Sequence, residues 1–381
     1  MPPNRYLYPG AFSRHIATIL GFPSKTSLPL QLHGPACNDI AHLAAAVSEF
    51  EPVRLYAQPT DVSQARKLID QAIQKSLGSV KNIEIIPHPT QHLWVRDTGP
   101  IYVHGIDAAE RKSRFAIDFG FTEWGHKNEV AMDTGMAWPI LDSTQLQENI
   151  DFAKHVIESD RTPSPVTRIR SKVCLEGGAV VVDGEGTLLA TESSILNVNR
   201  NPGISRRDVE VELCQKLGVE KIIWFPGKDG LDSTDVHVDA EVNFIRPSVV
   251  VLSRPHRRAP RAWWQIHNEI LAILEQSVDA KGRKFEIHIV DEPHPECLGS
   301  LTDDAPATNY VNFYFVNGGV ILPQFGDAAA DAMALDLFQT LCPERVVRPV
   351  KVSALPLIGG VVHCATQQVI DVDVDHEATC I

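Results

Sequence analysis

The chain has 381 residues and a formal net charge of −13, with 44% hydrophobic and 22% charged residues. This composition is typical of a globular protein with a large core. The acidic balance argues against nucleic-acid binding, because contacts to a phosphate backbone need a basic face. No run reaches the ~20 apolar residues of a membrane span. The seven cysteines are dispersed and contain no Cys-x-x-Cys pair, which argues against a disulfide scaffold or a zinc knuckle and predicts a cytoplasmic protein.

The first 150 residues give a blurred pattern. Apolar spacing predicts a helix over residues 61–77, a strand over residues 83–88 and a second strand over residues 114–121. These elements fit an α/β protein, but their order alone does not reveal a repeat.

The second half repeats one unit three times. Two short apolar runs, residues 179–183 and 187–191, flank a Gly-Glu-Gly turn and predict a hairpin. A helix over residues 208–217 follows, with Ser205 as its N-cap, and residues 221–225 form a strand. The same order returns twice, at residues 238–245, 249–253, 261–278 and 285–290, and at residues 310–316, 320–323, 329–341 and 346–350.

Such a repeat predicts supersecondary units that bury their faces against each other, and a chain of this length has room for about five. The alternative is an ordinary α/β domain in which the order is coincidental. No linker interrupts the chain, so residues 1–381 are predicted to form one domain.

Four short segments carry polar residues in apolar or Gly-rich surroundings. Asp97 precedes Gly-Pro, Glu176 precedes two glycines, His237 and Asp239 stand two apart, and Cys364 follows an apolar run. In an extended segment His237 and Asp239 point to the same face, which suits proton transfer. A cysteine at a strand end suits nucleophilic catalysis.

Each of these residues also has a structural interpretation. Asp97 alone is explained as a turn cap, and Cys364 as one more buried cysteine. The His237–Asp239 pair could be an ion pair or two metal ligands, but no further ligands have suitable spacing, so no metal is predicted. His363 is adjacent to Cys364 and should point to the opposite face of an extended chain, so His237 is the preferred partner of the cysteine.

A cysteine, a histidine and at least two carboxylates point to a particular electrophile. Two extra carboxylates would repel the oxyanion that forms from a peptide carbonyl. They would instead hold a cation such as a guanidinium by paired, charge-assisted hydrogen bonds.

At this point the sequence resembles the agmatine deiminase and bacterial-type peptidylarginine deiminase family, within the guanidine-modifying superfamily. The segments that carry the resemblance are residues 94–100, 175–178, 234–239, 310–327 and 359–368, in family order. The resemblance implies a five-bladed, pseudo-symmetric α/β propeller of hairpin-helix-strand units. It also implies an enzyme that needs neither a metal nor an organic cofactor.

The resemblance assigns roles position by position. Cys364 matches the nucleophile, His237 the general acid/base, and Asp97 and Asp239 the carboxylates that hold the guanidinium. Other matches are expected to contact the substrate: Trp94 as an aromatic beside it, Asn312 as an active-site amide, and Glu176 within a shared motif. Asp232, Asp235 or Glu176 is expected to hold the distal ammonium of the substrate, because a desolvated amine needs an anionic partner.

Two positions depart from the family pattern. Val236 stands where the family commonly has Gly, and Ala240 where it has Asn. We expect that Val236 cannot copy a backbone conformation that favours Gly, which would alter the pocket beside His237.

The predicted function is hydrolysis of agmatine to N-carbamoylputrescine and ammonia through a covalent cysteine thiouronium, a step of putrescine and polyamine metabolism. One alternative is a peptidylarginine deiminase that converts arginine residues to citrulline. The other is a non-catalytic guanidine-binding protein. The expected partner is a small cationic guanidine, with no nucleic acid and no membrane, and a homodimer is left open.

Overall fold

A computed structural model describes residues 6–75, 82–106, 112–127, 139–162, 166–298 and 307–372. These residues form five small sheets, which we call blades 1 to 5 in the order in which their helices occur. Four blades share one topology, in which an antiparallel hairpin is followed by a helix and a third strand parallel to the second.

Blade 1 joins the two ends of the described chain. Its strands lie in the order Thr366–Ile370, His15–Gly21, Val53–Ala57 and Ile83–Pro87. The first pair is antiparallel and takes the place of the hairpin, although its strands are far apart in sequence. The helices Leu30–Ser48 and Val62–Ile73 connect the parallel strands.

The second blade forms in the part of the chain where the sequence pattern is weak. Its hairpin pairs Ile101–Ile106 with Lys112–Asp118, and its third strand is Thr167–Arg170. Two short helices, Ser143–Ile150 and Phe152–Glu158, precede that strand.

Blades 3 to 5 are the three units that the sequence predicts. Their strands and helices are, in blade 3, Val180–Val182, Thr187–Thr191, Arg206–Leu217 and Lys221–Phe225; in blade 4, Val242–Arg246, Val249–Arg254, Arg261–Gln276 and Glu286–Asp291; in blade 5, Tyr314–Val316, Gly319–Gln324, Ala328–Leu341 and Val346–Lys351.

The blade 3 helix shows how local sequence sets these elements. The Ser205 hydroxyl accepts a hydrogen bond from the backbone N–H of Asp208, as expected of an N-cap, and Gly218 ends the helix with a φ of 68°. Val209, Leu213 and Leu217 are fully buried at a spacing of four residues, so one stripe of the helix packs on the sheet.

Two predicted strands begin later than expected: residues 310–313 precede the strand Tyr314–Val316, and residues 238–241 precede the strand Val242–Arg246. Residues 238–240 are not extended but form a short 3₁₀ turn, Val238–Ala240, and the strand begins at Val242. The expectation that His237 and Asp239 share a strand face is therefore wrong, although the turn brings both side chains to the same place by another geometry.

Candidate active site

Three chemically active side chains converge around Gly178. A Cβ atom on Gly178 would lie 2.6 Å from His237 Nδ1, 3.0 Å from Asp97 Oδ1 and 3.1 Å from Asp239 Oδ1. Three short turns meet here, Val95–Thr98, Gly177–Ala179 and Val238–Ala240. Only Gly leaves room at position 178 for this arrangement.

Cys364 lies beside this cluster. Its Sγ receives a hydrogen bond from Asn312 Nδ2 at 3.2 Å and lies 3.9 Å from Asp239 Oδ2. Trp94 and Cys364 both border Gly360, because a Cβ there would lie 2.7 Å from the Trp94 ring and 3.1 Å from Cys364 Cβ. The fold thus assembles the predicted cysteine, histidine, two aspartates, tryptophan and asparagine in one place.

The electrostatic surroundings keep the free thiol protonated. Burial, followed by the charges of Asp239 and Asp97, raises the pKa of Cys364 well above its usual value, and the Asn312 hydrogen bond only partly opposes this. A cation bound between the two carboxylates would cancel their repulsion of the thiolate.

The surroundings of His237 favour its charged, protonated form. Its Nε2 contacts Glu176 Oε2 at 3.1 Å, and its Nδ1 lies 3.8 Å from Asp97 Oδ1. Burial disfavours the imidazolium, but the charges of Asp97, Glu176 and Asp239 and the Glu176 hydrogen bond outweigh burial and raise the pKa of His237 to about 9. His237 is therefore a proton donor at neutral pH.

Asp97 accepts two hydrogen bonds, one on each oxygen. The backbone N–H of Gly178 donates to Oδ1 at 3.1 Å and the indole N–H of Trp124 donates to Oδ2 at 2.8 Å. Burial and the nearby carboxylates Asp239 and Glu176 raise the pKa of Asp97 to about 6, against the lowering effect of His237 and Trp124.

Asp239 has one satisfied oxygen and one unsatisfied oxygen. Its Oδ2 accepts a hydrogen bond from His363 Nδ1 at 2.6 Å, whereas its Oδ1 is buried and has no hydrogen-bond partner within the described part of the chain. A buried carboxylate oxygen without a partner is costly, so this atom is suited to a cationic ligand.

His363 occupies a place that the sequence did not predict. The chain around it is a turn and not a strand, so His363 and Cys364 both contact Asp239, and the expectation that His363 faces away is wrong. Burial and the nearby charge of Arg96 lower the pKa of His363 to about 4, against Asp239. The ring is therefore neutral at pH 7 and donates its Nδ1 proton to Asp239.

Val236 adopts the left-handed backbone conformation that favours Gly. Its φ is 68°, and that of Asp235 is 62°. The backbone is held there because Val236 N–H donates to Asp232 Oδ1 at 3.0 Å and Thr191 Oγ1 donates to Val236 O at 2.6 Å. The Val236 side chain is buried in the blade 3 and 4 core, so the expectation of an altered backbone beside His237 is wrong.

The three carboxylates expected to hold a distal ammonium already have partners in the chain. Arg200 Nε contacts Glu176, and Arg200 Nη1 contacts Asp235 Oδ2 at 2.5 Å. Lys127 Nζ contacts Asp235 Oδ1 at 2.6 Å. Asp232 Oδ1 accepts hydrogen bonds from Thr234 and Val236, but its Oδ2 has no partner among the residues that the structure describes. The role of these carboxylates in substrate binding stays a prediction.

Sequence reasoning missed Arg200, Trp124 and Lys127. Arg200 stands in a loop without a recognisable motif, so its pairing with Glu176 and Asp235 could not be read from the sequence. The Trp-Gly pair at positions 124 and 125 was the one available signal, because it combines a large aromatic side chain with a breaker of regular structure.

Within the described ranges, no group of three or more His, Cys, Asp or Glu side chains is arranged to hold a metal ion. Likewise, none of the helices in those ranges is long and apolar enough to cross a membrane.

The sequence of the chain matches the family described as Porphyromonas-type peptidyl-arginine deiminase over residues 7–369. The chain belongs to this family. It is 36% identical to an agmatine deiminase of Pseudomonas savastanoi pv. phaseolicola, with 86% of this chain and 85% of the relative covered. It is 34% identical to an agmatine deiminase of Pseudomonas aeruginosa, with 94% of each chain covered.

A solved structure supports the same assignment. The agmatine deiminase of Enterococcus faecalis superposes with a TM-score of 0.81 and 25% identity, covering 96% of this chain and 95% of the other. The predicted five-bladed α/β propeller is confirmed, and blades 1 to 5 are its five units.

Proposed function

We propose that this protein is an agmatine deiminase that hydrolyses agmatine to N-carbamoylputrescine and ammonia. The observation that carries the proposal is the buried Asp239 Oδ1, which has no hydrogen-bond partner among the described residues and converges with Asp97 and His237 on one point beside Cys364. Two carboxylates beside a thiol and a protonated histidine suit a guanidinium and oppose an oxyanion. The agmatine deiminases among the relatives support agmatine as the guanidine.

Substrate binding prepares the nucleophile. The guanidinium pairs with Asp97 and Asp239, and its positive charge offsets the two negative charges that raise the pKa of the Cys364 thiol. The pKa of the thiol falls, its proton passes to solvent, and the thiolate remains beside the guanidinium carbon. Asn312 Nδ2 donates a hydrogen bond to Sγ and stabilises the thiolate.

The reaction then proceeds in two halves. Cys364 Sγ forms a bond to the guanidinium carbon, His237 donates a proton to the departing nitrogen, and ammonia leaves. The resulting thiouronium stays attached to Cys364. His237, now neutral, takes a proton from water, and the hydroxide attacks the same carbon. The C–S bond then breaks, the hydroxyl proton of the adduct passes to the departing Cys364 sulfur, and the ureido product is released with the thiol restored. The two carboxylates fix the orientation of the planar cation throughout.

Asp232 is the proposed partner of the distal ammonium. Glu176 and Asp235 are neutralised by Arg200 and Lys127, whereas Asp232 is half-buried and has an oxygen without a hydrogen bond among the described contacts. The test compares Asp232→Asn with the wild-type enzyme on agmatine and on butylguanidine, which lacks the amine. The variant should lose kcat/KM for agmatine only, and an equal loss for both substrates would contradict the assignment.

The main experiment measures ammonia release from agmatine, free arginine and a benzoyl-arginyl substrate in parallel. We expect kcat/KM to fall in that order, because arginine places a carboxylate near the acidic tail site and the blocked substrate offers no cation there. Faster turnover of an internal arginyl peptide would favour the protein-modifying alternative. Saturable binding of guanidines without ammonia release would favour the non-catalytic alternative.

We further propose that the enzyme works in the cytosol, as one domain. In support, the six cysteines that the structure describes all have free thiols, as expected in a reducing compartment.

A further inference from the structure

Four consecutive residues before Lys127 have a left-handed backbone. The φ angles are 53° at Glu123, 52° at Trp124, 77° at Gly125 and 63° at His126. Residues other than Gly avoid this region, because the Cβ atom approaches the following carbonyl oxygen. Successive left-handed residues are therefore unfavourable unless their surroundings hold them, and they mark functional positions more often than ordinary turns.

The surroundings hold this turn at both ends. The Glu123 carboxylate is buried and accepts hydrogen bonds from His92 Nε2 and Asn149 Nδ2, each at 2.7 Å. Lys127 Nζ pairs with Asp235 at 2.6 Å, at the other end of the turn. Gly125 packs so closely on Asn199 that a Cβ there would lie 2.5 Å from the amide carbon.

The consequence of the turn is the position of Trp124. The Trp124 side chain is only 6% exposed and packs edge-to-face on Phe121, with ring centroids 4.9 Å apart. This packing aims the indole N–H at Asp97 Oδ2, 2.8 Å away. The Gly178 N–H donates to Oδ1, so hydrogen bonds to both oxygens fix the orientation of the Asp97 carboxylate.

We propose that Trp124 is a positioning residue, which orients the Asp97 carboxylate for the guanidinium and stabilises its ionised form, and that the left-handed turn serves to present it. This inference rests on the proposed function for its kinetic test. The physical basis is that an N–H donor favours the charged carboxylate. Asp97 needs such help, because burial and two neighbouring carboxylates raise its pKa, which is about 6 even with the lowering effects of His237 and Trp124.

The test variant is Trp124→Phe, which keeps an aromatic ring and removes the N–H. A matched control is Trp224→Phe, because Trp224 is also buried and its indole N–H also donates to a carboxylate, that of Glu210, at 2.9 Å. Trp124→Phe should lower kcat/KM for agmatine by about tenfold, as expected for a hydrogen bond to a charged group. It should also move the acidic limb of the pH profile to higher pH, because loss of the N–H raises the pKa of Asp97.

A purely structural role would not move that limb, and Trp224→Phe should leave both readouts unchanged. Wild-type kcat/KM together with a wild-type acidic limb in Trp124→Phe would overturn the inference.

Alkylation of Cys364 supplies a readout that does not depend on turnover. In chloroacetamidine and chloroacetamide the thiol sulfur displaces chloride, forming a C–S bond as the C–Cl bond breaks, and the thiol proton goes to solvent. Only chloroacetamidine is cationic. The alkylation rate with chloroacetamidine divided by the rate with chloroacetamide therefore reports how well Asp97 and Asp239 attract a cation. The ratio should fall in Trp124→Phe and stay unchanged in Trp224→Phe.

The two proposals can fail separately. If the wild-type protein releases no ammonia from any guanidine but the alkylation ratio still falls in Trp124→Phe, the proposed function is wrong and the inference stands. If the wild type deiminates agmatine and neither readout changes in the variant, only the inference is wrong.

A measurement on the wild-type protein covers the case in which Trp124→Phe does not fold. With ¹⁵N-labelled indoles, one of the six tryptophan N–H signals should follow a titration near pH 6, and that titration should be absent in Asp97→Asn. If no indole signal titrates in this range, the inference fails.

Discussion

Asp239→Asn tests how the site recognises its cation. The His363 Nδ1–H needs an acceptor at the Oδ2 position, so the amide oxygen of the new side chain will turn toward His363. The amide NH₂ then takes the place of Oδ1 and faces the N–H groups of the guanidinium. The variant therefore loses a charge-assisted hydrogen bond, and an amide N–H now faces a guanidinium N–H, donor against donor.

A hydrogen bond to a charged group contributes about 1.5–3 kcal/mol, which corresponds to about a 10- to 150-fold loss of kcat/KM. The loss of charge also removes one of the two groups that repel the Cys364 thiolate, so the thiol should ionise more readily in the free enzyme. The assay is continuous ammonia release from agmatine, with thermal unfolding to confirm folding.

Asp183→Asn is the matched control. Asp183 is fully buried and also has one oxygen without a partner in the ranges that the structure describes. It serves the blade 3 hairpin turn by accepting hydrogen bonds from the backbone N–H groups of Glu185 and Thr187. Asp183→Asn should leave kcat/KM for agmatine unchanged. If Asp239→Asn folds and keeps the wild-type kcat/KM, Asp239 does not hold the guanidinium.

Two further predictions concern the histidines and the pH dependence. His237→Ala should abolish turnover. His363→Asn should retain most of the turnover, because the Asn amide replaces the Nδ1–H donor to Asp239, whereas His363→Leu should raise KM. An inactive His363→Asn with an active His237→Ala would exchange the two roles. The profile of kcat/KM against pH should be bell-shaped, with limbs near pH 6 and pH 9. Below the acidic limb Asp97 is protonated and cannot pair with the cation. Above the basic limb His237 has lost the proton that the leaving ammonia needs. A flat profile between pH 5 and pH 10 is incompatible with these assignments.

The fold was predictable where its signals are local. Blades 3 to 5 each have a tight turn, a capped or amphipathic helix and a short apolar strand within a continuous stretch of sequence. In blade 1 the antiparallel pair joins Thr366–Ile370 to His15–Gly21, and such a pairing across the whole chain leaves no local pattern.

The site was predictable in its residues but not in its contacts. Cys364, His237, Asp97 and Asp239 lie together as expected, but the chain around His237 and Cys364 was predicted to be extended. In the structure both Val238–Ala240 and the chain before Cys364 are turns, which brings His363 onto Asp239. The left-handed φ of Val236 was also unpredictable, because it depends on hydrogen bonds from Thr191 and to Asp232 that only the folded chain provides.

The most direct test of the account is the covalent intermediate. Wild-type enzyme mixed with excess agmatine is quenched in acid during turnover, digested and examined by mass spectrometry. The peptide containing Cys364 should carry the amidine adduct of agmatine after loss of ammonia, and Cys364→Ser should yield neither adduct nor ammonia. An adduct on another cysteine, or undiminished turnover in Cys364→Ser, would contradict this expectation.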